Sequence, residues 1–195
     1  LSVRYENRWI DKLFLIGNQV TMSIPPFFVG MIFTVIFGLT LRLFVPGGYI
    51  SYTENVSGFL GYLIFPSLAL ALPKAAMTAK MFRNALLSEM HKDYIRTAKS
   101  RGNGPWRILI CHAFRNGIMP VITFLGMAAA DLIANSIVIE QGFGIPGLGR
   151  TLISSISNRD YPVVEAVIVL IAAVILILNT IVDLLYRALD KRIVL

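Results

Sequence analysis

The sequence predicts an all-α, polytopic transmembrane bundle of four spans with a helical loop on the cytoplasmic side. Three observations lead there. Of 195 residues, 56% are hydrophobic and only 15% charged, with a mean hydropathy of +0.70, which is more apolar surface than a soluble domain of this length can bury. Four apolar runs, at about 24–45, 59–82, 118–139 and 163–186, each supply the roughly 20 residues a helix needs to cross a hydrocarbon core. Those runs are continuous rather than alternating, so they lack the period-2 rhythm of a membrane β-barrel.

Taken in order, the first run is preceded by an apolar stretch from Trp9 to Ser23 and interrupted by Pro25-Pro26. Prolines there break the hydrogen-bond ladder, so Asp11–Ser23 reads as an extension of the first span at its cytoplasmic end. The second, third and fourth runs read as single spans. Four spans leave both ends of the sequence on one side.

The basic residues say which side. Fifteen of the eighteen lysines and arginines fall in the N-terminal segment (Arg4, Arg8, Lys12), in residues 74–116, or in the C-terminal tail (Arg187, Lys191, Arg192). Only Arg42, Arg150 and Arg159 lie near the opposite face. The positive-inside rule therefore puts both ends and the loop at about 84–116 in the cytoplasm. It also accounts for the net charge of +7 without a nucleic-acid partner, which would call for a basic face on a soluble module.

That loop is too patterned for a connector. Between Ala85 and Asn116 it carries six basic and two acidic residues. Tyr94, Ile95 and Ala98 share one helical face, Gly102 suits a left-handed helix end, and Pro105 suits the first turn of a second helix. The loop reads as helix, glycine turn, helix.

The segment Asp93–Pro120, beginning DYIRTAKSRG and including HAFRNGIMP, resembles the cytoplasmic EAA loop of ABC-importer permeases in the dipeptide, oligopeptide and nickel branch. The general motif of Glu-Ala-Ala, three residues and Gly is met here by Arg96-Thr97-Ala98 and Gly102. Ala98 and Gly102 match it; the leading Glu-Ala and the closing Ile-x-Leu-Pro do not, and these departures are those of the peptide and nickel branch. MSIPPFFVG (Met22–Gly30), FPSLALALP (Phe65–Pro73), GFGIPGLGR (Gly142–Arg150), NRDYPVV (Asn158–Val164) and VDLLYRALDKRI (Val182–Ile193) are similar to further blocks of that branch in the same order. The resemblance covers residues 1–195, read as one transmembrane domain without the first two of the usual six spans.

It implies a bacterial or archaeal plasma-membrane subunit that pairs with a second permease, two cytoplasmic ATPase subunits and an extracytoplasmic solute-binding protein, most simply to import peptides. In that setting Tyr94, Ile95, Ala98, Arg101 and Gly102 would form the ATPase-coupling loop, with the Ala98 face seated in a groove of the ATPase. Nickel or another small solute is the alternative cargo. A more distant alternative is an ion-coupled carrier that uses Asp131.

Other chemistry is sparse. Asp131 and Asn135 lie four apart on one face of the third span, and an intramembrane acid faces the bundle interior or water, so both are candidate pathway-lining residues; a hydrogen bond to another helix is the plainer role. Asn179, Asp183 and Arg187 recur at the same spacing in the last span, suggesting a structural Asp–Arg pair. Gly142–Gly147 satisfies GxGxxG, but without a preceding strand and a βαβ unit it reads as a turn and not a nucleotide site. His91, His112 and Cys111 lack metal-ligand spacing. With no Walker A segment and no catalytic constellation, the sequence reads as a transport subunit that binds no cofactor or metal, with ATP hydrolysis left to partners.

Overall fold

The computed structural model describes residues 2–6 and 8–189, with side chains throughout except at 4 and 185–189. Lys191, Arg192, the end of the VDLLYRALDKRI block and the Arg187 side chain, with its suggested Asp183 pair, lie outside the described residues.

After a short 3-10 turn, α1 runs from Trp9 to Ser23 and stops before Pro25, whose extended backbone caps α2, Pro26–Phe33. Pro26 occupies the first helical position, where a missing N–H costs nothing. The helical run breaks at this pair, so the prolines divide the first span as their chemistry requires. The helix continues as a π-helical stretch, Thr34–Thr40, and ends there. Residues 41–45, expected in the first span, are not helical: Arg42 takes a positive φ of 52°, and Pro46 follows, which disfavours helix before it.

The second span is longer than expected. Asn55 accepts from the Gly58 amide at 3.0 Å and caps α3, which runs 35 residues from Val56 to Met90. At 1.5 Å per residue that is about 52 Å, well beyond a hydrocarbon core about 30 Å thick. Pro66 and Pro73 lie inside it, as membrane helices tolerate. The loop then folds as α4 (Asp93–Ser100), α5 (Pro105–Arg107), a π-helical stretch (Ile108–Ala113) and α6 (Phe114–Gly117). The remaining helices are α7 (Met119–Phe143), α8 (Leu148–Ser157) and α9 (Tyr161–Leu189). Among the described residues all regular structure is helical. Helices α3, α7 and α9 are each long and apolar enough to cross a membrane, and α1 with the α2 run passes the same test as a bent pair.

The chain divides into two compact units, one of residues 1–22, 75–128 and 179–195, the other of 23–74 and 129–178. In the first, Leu86, Ile95, Ala98, Ile108 and Ala113 form the core, with Phe82 and Tyr94 packed against it. In the second, Val29, Phe44, Tyr62, Ala69, Ile139 and Phe143 do so. Aromatic rings dominate this second core: Phe44 stacks on Phe65 at 4.5 Å and on Phe143 at 5.8 Å between centroids, in the offset geometry rings favour. The Tyr62 hydroxyl donates to the Phe143 carbonyl. By contrast α9 exposes Val169, Leu170, Leu176 and Ile177, an apolar surface suited to lipid.

Candidate functional site

The glycine turn of the loop is built as its sequence dictates. Helix α4 ends with the Asn103 amide donating to the Ala98 carbonyl at 3.3 Å and the Gly102 amide to the Lys99 carbonyl at 3.0 Å. This pair of bonds is a Schellman closure, which needs a left-handed residue after the last turn; Gly102 supplies it with φ +77°. The Asn103 side-chain amide adds a bond to the same Ala98 carbonyl at 3.1 Å. Gly104 is extended and Pro105 opens α5.

The inner and outer faces of α4 have different partners. Ile95 and Ala98 are buried, at 0% and 5% exposure, within the first unit's own core. The sequence expectation seated that face in an ATPase groove; instead it is covered by the chain itself, because the helical period marks an apolar face without saying what meets it. Close approach at small Ala98 therefore serves packing within the chain. The face left open carries Asp93, Arg96, Thr97 and Ser100, with Lys99 and Arg101 beside it. Arg96 and Asp93 are only weakly paired at 3.5 Å and stay largely in solvent, where such pairs contribute about 0–1 kcal/mol.

The hinge between α3 and α4 is held by a polar cluster. Buried Glu89 accepts from the Tyr94 hydroxyl at 2.6 Å and from the Lys92 ammonium at 2.5 Å, and the Asn116 amide donates to the Tyr94 oxygen at 3.2 Å. Tyr94 thus joins α3, α4 and α6 within one unit. The hydrogen bond to Glu89 raises the Lys92 pKa, while burial and then the Glu89 carboxylate raise that of Tyr94. Next to this cluster, a cavity of about 130 Å³ is lined by Val3, Met90, Lys99, Pro105, Ile108 and Leu109.

A second polar cluster in this unit was not foreseen. Arg83 on α3 grips Asp11 on α1 with two bonds, Nε to Oδ1 at 2.8 Å and Nη2 to Oδ2 at 2.6 Å, and Ser2 joins both partners. Asp11 is 1% exposed. Removing one partner of such a buried bidentate pair costs about 3–5 kcal/mol. The signal in the sequence was an acid within the apolar stretch that begins at Trp9, which the topology reading passed over.

In the second unit, the GxGxxG segment leads into a helix whose first amides are already taken by a side chain of the chain itself. The Glu140 carboxylate accepts the amides of Gly149 at 2.7 Å and Arg150 at 3.3 Å, the second and third residues of α8. Those are the donors that a capping side chain or a bound phosphate would take. Arg150 in turn donates to the Gly144 carbonyl at 2.9 Å. A Cβ at Gly149 would run into the Ile137 backbone, so this glycine is required by close approach. A helix in this segment was not expected from its glycines.

Asp131 and Asn135 do share a face of α7, but Asn135 donates back to the Asp131 carbonyl at 2.8 Å. The Asp131 carboxylate is paired with Lys74 of α3. Among the described residues no group of three His, Cys, Asp or Glu is placed to hold a metal ion.

A family model described as the binding-protein-dependent transport system inner membrane component matches residues 1–195. The chain belongs to that family. It is 33% identical over 95% of its length to a protein of Sinorhizobium fredii described as a probable peptide ABC transporter permease. The dipeptide transport system permease of Bacillus subtilis is 37% identical over 96% of the chain, and the glutathione transport system permease of Escherichia coli 34% over 99%. The chain spans 59%, 58% and 60% of these relatives respectively. Membership makes it an inner-membrane component of a binding-protein-dependent transport system, and its apolar helices fit a multi-pass membrane protein.

Proposed function

We propose that this chain forms half of the translocation pathway of an ATP-driven peptide importer, paired with a second permease subunit and fed by an extracytoplasmic binding protein. Two ATPase subunits drive it, one docking on the outer face of α4. The observation that carries this reading is the division of labour in α4: its inner face is locked to the chain's own core through Ile95 and Ala98, and its outer face is polar, basic and open. A helix so fixed moves with the bundle, and a partner that pushes on its outer face moves both. Tyr94 fixes the hinge, Gly102 sets the exit, and Arg101 lies beside the docking face. The orientation puts both described ends and the loop in the cytoplasm, on the distribution of basic residues. Peptide cargo is supported by relatives described as peptide, dipeptide and glutathione permeases.

The test is site-specific cross-linking in the complete transporter with Cys111→Ser as background. Thr97→Cys on the open face should cross-link to the ATPase and Ile95→Cys should not, and the Thr97→Cys assembly should take up dipeptide when ATP and binding protein are present. Cross-linking from Ile95 but not Thr97 would reverse the docking face. Absence of dipeptide uptake by the unsubstituted assembly would remove the peptide assignment.

A further inference from the structure

We propose that the Lys74–Asp131 pair is a cargo-contact site, at which the Asp131 carboxylate takes the free α-ammonium of a passing peptide. This rests on the reading of the chain as half of a peptide pathway.

Both residues belong to the second unit, one on α3 and one on α7, and both lie within runs apolar enough to cross a membrane. Lys74 begins the basic run that the positive-inside rule assigns to the cytoplasmic side, so the pair lies toward that end of the spans; charges on such helices face a bundle interior or water, because lipid cannot solvate them. The pair is unevenly presented: the Lys74 side chain is 19% exposed and that of Asp131 61%. Lysine is the anchor and the carboxylate is the group on offer. The Lys74 ammonium already reaches one Asp131 oxygen, and a carboxylate has room for several donors.

One and two turns before Lys74, α3 exposes Ala71 and Ser67, and one turn after Asp131, α7 exposes Ala134 beside Asn135. Leu68 and Leu72 on α3 and Met127 and Val138 on α7 are exposed too, so it is the charge pair, not the lining, that calls for water. Its carboxylate is an acceptor-only group. A ligand that meets it needs a compact cation, and the amino terminus of a peptide, with a pKa near 7.7–8.0, is such a group at neutral pH.

The experiment uses the complete transporter in liposomes, with Cys111→Ser as background. Asp131→Cys is reacted with a membrane-impermeant, cationic thiosulfonate, with Leu170→Cys on α9 as the lipid-facing reference; Lys74→Met combined with Asp131→Cys gives the same readout without an unpaired lysine. Both Asp131 cysteines should react about tenfold faster than the Leu170 cysteine, since a thiolate needs water. Asp131→Asn should lower dipeptide uptake about tenfold through loss of a charged acceptor. Reaction no faster than at Leu170 means the site faces lipid or another subunit, and overturns the proposal. Fast reaction together with dipeptide uptake by Asp131→Asn equal to the parent removes the cargo role while leaving the pathway reading intact, whereas failure of the unsubstituted assembly to import dipeptide overturns that reading first.

Discussion

Two glycine turns of this chain, at Gly102 and at Gly147–Gly149, look alike as sequence and are opposite as structures. The turn after α4 uses its glycine for a left-handed residue, satisfies its carbonyls internally and leaves the preceding helix with an open, basic face. The turn before α8 uses Gly149 for closeness to the Ile137 backbone and brings Glu140 onto the amides that would otherwise attract an anion. One turn prepares a surface for something else to meet; the other consumes its own binding capacity. Glycine spacing alone therefore carries no function. What decides is whether the helix end beside it has already been satisfied by the chain.

The comparison breaks most readily at Gly149. Gly149→Val forces a branched side chain against backbone that cannot move aside, and overpacking of that kind costs about 3 kcal/mol; the expected result is a clear loss of folded protein, read as a lowered midpoint of thermal unfolding in detergent. Abundance and unfolding equal to the parent would show that the α7–α8 contact is looser than the structure has it.

At Gly102 the strain is local. Gly102→Val costs about 1–2 kcal/mol for a left-handed β-branched residue but meets no neighbour within 4 Å, so membrane abundance should hold. Because the turn aims the basic face, solute-stimulated ATP hydrolysis by the assembled transporter should fall. Equal loss of abundance at both glycines would erase the distinction between them. The smallest effect is expected for Lys99→Ala: one exposed charge contributes less than about 0.5 kcal/mol, and uptake should stay within about twofold of the parent. A large loss would mean that the partner reads this one charge individually.

The length of the apolar runs located the three long helices, and proline and glycine located the break at Pro25-Pro26 and the turn at Gly102, because each rests on local chemistry. It could not say what covers an apolar face, which is why Ile95 and Ala98 were expected against a partner and are instead buried at home. Nor could it see the Glu140 cap, which depends on the path of a turn, or the Arg83–Asp11 clasp, whose partners are 72 residues apart. The end of α3 was also misjudged: hydropathy falls at the membrane edge, but Asn55 at one end and tertiary packing at the other carry the helix further. The basic loop was found for its charge, while the cluster that aligns it turns on Tyr94 and a buried glutamate.

The Arg83–Asp11 clasp also has a history in time. Translation proceeds at about 5–20 residues per second, so the 72-residue separation means that Asp11 is made roughly 4–14 s before its arginine. For that interval its carboxylate has Ser2 and water in place of the guanidinium, which favours the first turns of α1 staying at the water boundary while the next span is still being synthesised. The nascent chain thus carries a timed constraint: α1 reaches its final seat only after the far end of α3 has been made.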